Sequence, residues 1–237
     1  MRKALYTLNV NGYAPEICAL TYPLIKAYAK KIGAEHVEIT ERRFPGWPVV
    51  YEKLQIHRLA QENGADWHIY IDSDALVHPE TPDWTCFLPR DTVAHNGVDM
   101  ANIRWRYDEY FLRDGRNIGS CNWNTIASSW CLDLWRPLDD LTLEEALDRI
   151  HPTVGELNTV ITKGHLIDDY TLSRNIARFG LKVKTLGQME KELGFVDENG
   201  KVTSAFYWHA YVISVEEKVK QMREILDKWC VKVPLGP

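Results

Sequence analysis

The first 95 residues alternate short apolar runs with segments in which apolar residues recur every three or four positions. Four apolar runs predict strands: 4–10, 36–40, 67–72 and 92–95. The helical spacing predicts helices over 15–32 and 51–63, and the glycines that follow them, Gly33 and Gly64, are typical of helix ends. Pro23 lies inside the first of these helices and predicts a kink or two abutting pieces.

The second half of the chain is less regular. Apolar runs predict strands over 124–129 and 182–186. Helical spacing predicts four more helices: 130–135, 143–150, 169–179 and 215–229. Strands that alternate with helices predict an α/β fold with a mostly parallel central sheet flanked by helices. With no internal repeat and no obvious linker, we predict a single domain over 1–237.

Composition and charge narrow the range of ligands. Hydrophobic residues make up 45% of the chain and charged residues 26%, which is ordinary for a globular domain. The formal net charge of −5 argues against a general nucleic-acid binder, because no basic surplus is available to neutralise a phosphate backbone. An anionic ligand would therefore need a local basic patch, a helix N-terminus or a bound cation.

Cysteine usage and the N-terminal segment bear on the compartment. The five cysteines are scattered and include no CxxC pair, so neither a zinc site nor a disulfide framework is predicted. Asn9 and Asn11 interrupt the N-terminal apolar run too early for a signal peptide, and no run reaches the length of a membrane span. We therefore predict a soluble cytoplasmic protein.

An acidic pair directly follows the predicted strand 67–72. The segment reads Trp-His-Ile-Tyr-Ile-Asp-Ser-Asp-Ala-Leu-Val from residue 67 to residue 77, so one residue separates Asp72 from Asp74. In an extended chain, residues two apart project to the same side, and ligands of open α/β sheets bind beyond the carboxyl ends of the strands. Two carboxylates at that position suit Mg²⁺ or Mn²⁺ that bridges to substrate phosphates. The plainer alternative is that both aspartates only start a turn.

This segment resembles the DxD region of GT-A glycosyltransferases, especially the glycogenin-like group. The N-terminus agrees, because residues 5–8 and Asn11-Gly12-Tyr13 are similar to that group's first strand and uridine-binding loop. The resemblance implies a GT-A fold, the Rossmann-like fold of nucleotide-diphospho-sugar transferases. It also implies a nucleotide-binding half of about 1–97 and an acceptor-binding half of about 98–237.

The resemblance also implies roles on the donor side. Tyr13 would stack on the nucleotide base, and Thr7 would bond its edge. Asp72 and Ser73 would contact the nucleotide, and Asp72 would share the metal ion with Asp74. Lys53 lies where such enzymes often place a lysine near the donor, although a solvated helix lysine is the ordinary alternative.

On the acceptor side, Asp168 and Asp169 open a predicted helix. Aspartates at a helix start commonly cap free N–H groups and complement the helix dipole. The pair also resembles the acidic pair on the acceptor side of many GT-A enzymes, in which one carboxylate is the general base of inverting members. His209 lies in an aromatic segment, and the resemblance makes it a further metal ligand, although no glycine and lysine follow at the spacing of the glycogenin-like group.

Two further segments are candidates for contacts with the substrates. Residues 122–130 are similar to the segment beneath the transferred sugar in this fold, and an ordinary edge strand is the alternative. Residues 104–116 are locally basic and aromatic, which is typical of a mobile loop over an anionic donor or of a solvated helix.

The sequence therefore predicts a metal-dependent glycosyltransferase that uses Mn²⁺ or Mg²⁺ and a nucleotide sugar, most simply a UDP-sugar, and acts on a glycan acceptor. The compact form also resembles the small transferases that chloroviruses encode, for which the compartment would be the host cytoplasm. A sugar nucleotidyltransferase shares the architecture, but residues 9–15 lack its glycine-rich basic loop. A non-catalytic carbohydrate-binding protein is the alternative from another class, and such modules are usually all-β.

Overall fold

The computed structural model describes residues 1–95, 125–129, 131–150, 162–195, 205–209 and 214–233, with only the backbone of 125–129. The described strands are β1 (Lys3–Leu8), β2 (Ala34–Ile39), β3 (Trp67–Ile71), β4 (Leu76–Val77), β5 (Thr92–His95), β6 (Thr125–Ser129), β7 (Lys182–Thr185) and β8 (Tyr207–Trp208). The described α-helices are α1 (Pro15–Ile32), α2 (Ile56–Asn63), α3 (Leu143–Asp148), α4 (Ile167–Phe179), α5 (Leu186–Glu192) and α6 (Val215–Lys228). Short 3-10 helices cover Val49–Gln55, Trp84–Cys86, Leu132–Trp135 and Lys163–Leu166.

Six of these strands form one sheet in the order β2-β1-β3-β6-β5-β7. The pairs β1–β2, β1–β3 and β5–β7 are parallel, whereas β6 is antiparallel to both of its neighbours. All of these strands except β6 therefore run in the same direction, and the predicted α/β fold with a mostly parallel sheet is confirmed. This architecture differs from the all-β form usual for carbohydrate-binding modules.

Apolar side chains cover both faces of this sheet. Because side chains alternate along a strand, Tyr6 and Tyr70 belong to one buried cluster, and Leu5 and Ile69 belong to another. The first cluster takes its helical residues from α2, α3 and α4, and the second takes them from α1, α5 and α6. The sheet is thus the middle layer between two layers of helices, and its strand ends remain the place where a ligand can reach the backbone.

The chain between β2 and β3 differs from its prediction. A single helix was predicted over 51–63, but the structure has a 3-10 helix over Val49–Gln55 that continues into α2. Pro48 precedes the 3-10 helix, and Glu52 is held there by hydrogen bonds from Arg42 Nε and the backbone N–H of Phe44 at 2.8 and 3.0 Å. These contacts fix the segment that carries Lys53.

The segment predicted as a helix over 130–135 is also shorter in the structure. It is a 3-10 helix over Leu132–Trp135 whose last two residues are buried. Asn175 of α4 donates hydrogen bonds from Nδ2 to the backbone oxygens of Leu134 and Arg136, at 2.9 and 2.8 Å. A side-chain amide thus donates hydrogen bonds to the carbonyl oxygens at the end of this short helix, where regular helical hydrogen bonding stops.

No helix among the described residues is long and apolar enough to cross a membrane.

Candidate functional site

The acidic pair lies in a tight turn at the carboxyl end of β3. That strand ends at Ile71, and the Ala75 N–H donates to the Asp72 carbonyl oxygen at 3.0 Å, which closes a four-residue turn. The expectation that the two aspartates project from extended chain is therefore wrong in its reason. The turn itself, rather than the alternation of a strand, brings the carboxylates of Asp72 and Asp74 to the same region.

The pairing of β4 with β8 brings His209 to this turn. Leu76 lies opposite Trp208 in an antiparallel register, so the residues just outside the pair, Ala75 and His209, also face each other. The His78 N–H donates to the Phe206 carbonyl oxygen at 2.8 Å and extends the contact at the other end. The backbone thus fixes the position of His209 beside the acidic pair.

Asp72, Asp74 and His209 together form what we call the candidate metal centre. One ligand atom from each residue can be chosen so that all three lie within 4.8 Å of one another. Ligands about 2.1 Å from an Mg²⁺ or Mn²⁺ ion in octahedral geometry are separated by about 3 to 4.2 Å, so small side-chain movements are enough to close the site. Two carboxylates and one imidazole are acceptable donors for Mn²⁺.

Asp74 has three described contacts in this centre. Its Oδ1 lies 3.2 Å from His209 Nε2, and its Oδ2 lies 2.6 Å from Lys218 Nζ. The Tyr13 hydroxyl also donates to Oδ2, at 3.1 Å. Burial by itself raises the pKa of the Asp74 carboxyl, but His209 and Lys218 outweigh burial and hold this pKa well below its usual value. Asp74 is therefore ionised, as a metal ligand must be.

Lys53 forms a buried bridge between the two predicted halves of the site. Its Nζ lies 3.1 Å from Asp72 Oδ1 and 2.6 Å from Asp168 Oδ2, and the residue is only 5% exposed. Burial favours the neutral amine, but Asp168 and Asp72 outweigh it and raise the pKa of Lys53 above its usual value. The solvated alternative for Lys53 is wrong, because the charged amine is enclosed by carboxylates.

Tyr70 adds a second contact to Asp72. Its hydroxyl donates to Asp72 Oδ1 at 2.5 Å, and Lys53 Nζ lies 4.9 Å from the centre of its ring. Burial first, and then the neighbouring Asp72 carboxylate, raise the pKa of the Tyr70 phenol well above its usual value. Tyr70 is thus a permanent donor that orients one oxygen of Asp72.

Asp168 and Asp169 occupy the first turn of α4, as predicted, and both are buried. The residue at the N-cap position is Leu166, whose side chain makes no capping hydrogen bond. Asp168 Oδ2 holds Lys53, while its Oδ1 accepts no hydrogen bond from any residue that the structure describes. The structure thus connects Asp168 to Asp72 through a single lysine.

Ser73 and Thr7 lie at the site, but their hydroxyls are engaged within the protein. The Ser73 hydroxyl donates to the Leu8 carbonyl oxygen at 2.5 Å, and the Thr21 hydroxyl donates to the Ser73 carbonyl oxygen at 2.5 Å. Thr7 Oγ1 lies 3.0 Å from His36 Nε2. These contacts fasten the turn to the end of β1 and to α1.

Tyr13 lies in the loop after β1, where Asn11 and Gly12 have φ values of 62° and 69°. An asparagine and a glycine adopt this left-handed conformation at low cost. The Tyr13 N–H donates to Asn9 Oδ1 at 2.8 Å, and Tyr13 is 41% exposed. The loop thus presents an accessible aromatic ring whose hydroxyl points to Asp74.

Sequence reasoning missed Lys218 and Tyr70. The sequence predicts Tyr70 only as one residue of a buried strand, and Lys218 lies in a terminal helix in which charged residues are frequent. No local pattern distinguishes Lys218 from its neighbours, because its partner is 144 residues away in the chain. Some of the predicted contacts lie outside the residues that the structure describes. They are the contacts of 104–116, of Asn122 to Asn124 and of the side chains of 125–130, and Cys121 also lies outside the described residues.

Comparison with known proteins gives distant structural likeness alone. No protein-family model matches the chain, and no curated protein matches it. A glycosyltransferase involved in the glycosylation of the major capsid of PBCV-1 is 14% identical, with a TM-score of 0.46 over 93% of this chain and 99% of that chain. The galactosyltransferase LgtC, in complex with donor and acceptor sugar analogues, is 12% identical, with a TM-score of 0.49 over 93% of this chain and 95% of that chain.

Mouse xyloside xylosyltransferase 1, in its apo form, is 9% identical, with a TM-score of 0.48 over 89% of this chain and 98% of that chain. All three structures are of glycosyltransferases, the class of enzyme that the sequence resembles. Identities and TM-scores this low do not assign an activity.

Proposed function

We propose that this protein is a metal-dependent glycosyltransferase that moves a sugar from a nucleotide-sugar donor, a UDP-sugar in the simplest case, to a glycan acceptor. The observation that supports this best is the candidate metal centre at the end of β3. Asp72, Asp74 and His209 come together there although β8, which positions His209, is remote in sequence. The position beyond the carboxyl ends of parallel strands is where α/β proteins bind nucleotides.

The proposed reaction breaks the bond between the anomeric carbon of the sugar and the diphosphate oxygen, and forms a bond from that carbon to an acceptor hydroxyl oxygen. A divalent ion, when bound, would supply Lewis-acid stabilisation of the leaving diphosphate. Asp72, Asp74 and His209 would hold it, and Mn²⁺ or Mg²⁺ suits these donors.

On the donor side, we assign Tyr13 to the nucleotide base because its ring is accessible beside Asp74. We assign positioning roles to Thr7, Lys53 and Ser73, because each of them contacts a neighbour within the protein. They would shape the donor site through these neighbours.

On the acceptor side, we assign the removal of the proton from the acceptor hydroxyl to Asp168 or Asp169. Asp168 Oδ2 lies 2.6 Å from Lys53 Nζ, and a positioned carboxylate of this kind is a common general base. Asp168 Oδ1 is buried and accepts no hydrogen bond from the described residues, so we assign the proton to this oxygen.

Calorimetric titration of UDP tests this proposal, first with Mn²⁺ and then with a chelator. Wild-type protein is expected to bind UDP with Mn²⁺ and to lose at least tenfold in affinity without it. Asp74→Asn is expected to weaken Mn²⁺-dependent binding by about 100-fold or more, since even residues that only orient metal ligands contribute about 10–100-fold.

Asp91→Asn is the matched control. Asp91 immediately precedes β5, so it lies at the amino ends of the parallel strands, away from the carboxyl ends where the candidate metal centre lies, and it pairs with Lys182. This variant is expected to bind UDP as the wild type does. Wild-type affinity in Asp74→Asn, in protein with an unchanged circular dichroism spectrum, would refute the metal assignment. A UDP-binding protein would then be tested for turnover of UDP-sugars.

A further inference from the structure

Lys218 is a fixed cation at a metal ligand. It is 5% exposed, and its Nζ lies 2.6 Å from Asp74 Oδ2. Its helix, α6, is anchored one turn and two turns further along by the buried side chains of Met222 and Leu226, which pack in the same cluster as α1. The ammonium group is therefore held at the carboxylate by the packing of the helix and is not a freely moving surface charge.

Asp72, the other aspartate of the centre, is also paired with a lysine. Lys53 Nζ lies 3.1 Å from Asp72 Oδ1, and its side chain is as enclosed as that of Lys218. Both acidic ligands are thus already paired with an ammonium group. Since affinity for hard cations depends on the charge that the ligands present, a divalent ion on its own meets a site whose negative charge is largely balanced.

We propose that Lys218 is a built-in counter-cation that makes metal binding at Asp74 depend on the simultaneous binding of an anionic diphosphate. This inference rests on the proposed metal and nucleotide site. A divalent ion alone has to approach a fixed ammonium group, and the repulsion opposes its binding. A diphosphate brings negative charge, and both the divalent ion and the Lys218 ammonium group attract it. By linkage, each ligand then raises the affinity for the other by the same factor.

A purely structural salt bridge would behave differently. If Lys218 only held Asp74 in position, removal of its charge would disturb the ligand and leave metal affinity lower or unchanged. The counter-cation instead predicts that metal affinity rises when the charge is removed, in protein without nucleotide. The two roles therefore predict different results in one measured quantity, the Mn²⁺ affinity of the protein without nucleotide.

The experiment measures Mn²⁺ affinity with and without UDP, by the electron paramagnetic resonance signal of free Mn²⁺. Lys218→Gln removes the charge and keeps a hydrogen-bond donor, Lys218→Met removes both, and Lys218→Arg keeps the charge. The matched control is Lys220→Gln, on the same helix with a side chain 67% exposed.

We expect Lys218→Gln to bind Mn²⁺ alone about tenfold more tightly than wild type, and the factor by which UDP enhances Mn²⁺ binding to fall by about tenfold. Lys218→Met should change both quantities in the same direction, while Lys218→Arg and Lys220→Gln should keep the wild-type enhancement. UDP affinity in the presence of a chelator should fall in both uncharged variants.

An unchanged or weakened affinity for Mn²⁺ alone in either uncharged variant, with the helical circular dichroism of the wild type, would overturn the counter-cation. In that case, wild-type protein that still binds Mn²⁺ and UDP together would leave the proposed function standing. Wild-type protein that binds Mn²⁺ neither alone nor with UDP would overturn both proposals.

Discussion

At the residue scale, Lys53 shows how far a side chain's surroundings can depart from its local sequence. In the sequence it is one polar position in Tyr-Glu-Lys-Leu-Gln, and it was open whether water or a donor surrounds it. In the structure it is enclosed between Asp72 and Asp168, the second of which is 115 residues away in the chain. Contacts over such a separation leave no periodic signal. The sequence could therefore predict the carboxylates and, by resemblance, a lysine near the donor, but not that this lysine connects them.

Replacement of Lys53 tests this bridge. Lys53→Met is expected to lower the free energy of unfolding by about 3–5 kcal/mol, because it leaves the Asp168 carboxylate buried without its counter-charge. Lys53→Met combined with Asp168→Leu should recover a large part of that loss, since replacing both members of a buried pair costs far less than breaking it. Chemical denaturation of the single and double variants measures both effects.

Lys182→Met is the control, because Lys182 and Asp91 form an ion pair exposed to solvent. Water screens such a pair, so little change in stability is expected. A Lys53→Met protein as stable as the wild type would mean that the Asp168 carboxylate is not buried with that lysine in solution.

At the scale of secondary structure, periodicity located the elements well, and their ends less well. The strand predicted over 92–95 and the helix predicted over 15–32 have the observed bounds, because long apolar stripes and short apolar runs are read directly from the sequence. The helix predicted over 51–63 begins instead as a 3-10 helix, since the buried Glu52 binds the preceding loop. Capping and packing of this kind involve contacts that periodicity does not record.

The division of α1 that Pro23 predicts is a second point on which the structure differs from the sequence. The sequence predicts a kink at Pro23 or two abutting pieces, and the second alternative is wrong, because α1 continues from Pro15 to Ile32 with Pro23 inside it. The kink stays a prediction. The contacts of Ile17, Leu24 and their neighbours with the core compensate for the hydrogen bond that a proline cannot make. Tertiary packing here outweighs a local preference.

Pro23→Ala is therefore expected to raise the free energy of unfolding by about 1–2 kcal/mol. The restored N–H regains a helical hydrogen bond, worth part of the ~3 kcal/mol that an internal proline costs, and the greater freedom of the unfolded chain removes up to ~1 kcal/mol of this gain. Denaturant titration followed by far-ultraviolet circular dichroism measures the change. A loss of stability would show that the proline ring fills space in the helix layer that alanine leaves empty.

At the scale of the whole molecule, the packing of helices on the sheet buries two histidines. His68 on β3 and His95 on β5 are almost wholly enclosed, and burial lowers the pKa of each imidazole to about 4. The sequence placed both residues in strands correctly. Because side chains alternate along a strand, both histidines lie on the face of Tyr70 and Val93, which α2, α3 and α4 cover. Their neutrality follows from this burial, which only the assembled fold shows.

These two histidines predict how stability changes with pH. Between about pH 6.5 and pH 4 the unfolded chain binds protons at His68 and His95 while the folded protein does not, so stability falls as the pH is lowered through this range. Each shift corresponds to about 3 kcal/mol when complete. Unfolding free energies of wild type and His68→Leu at several pH values measure the effect.

The His68→Leu variant is expected to lose less stability than the wild type between these pH values, by an amount approaching the contribution of one histidine. His165→Gln, at a position exposed in the structure, provides the comparison and should follow the wild-type curve. Equal slopes for wild type and His68→Leu would mean that water reaches His68 in the folded protein.

The separation of β4 and β8 along the chain also sets the order in which this site can form during synthesis. Asp72 and Asp74 leave the ribosome early, whereas His209 and Lys218 follow much later, the last of them 144 residues after Asp74. A growing chain that has completed β1, β2 and β3 thus has the acidic turn but neither the imidazole nor the second ammonium group. Under the proposed function, the ligand His209 and the counter-cation Lys218 would therefore join the acidic turn only after β8 and α6 have been synthesised.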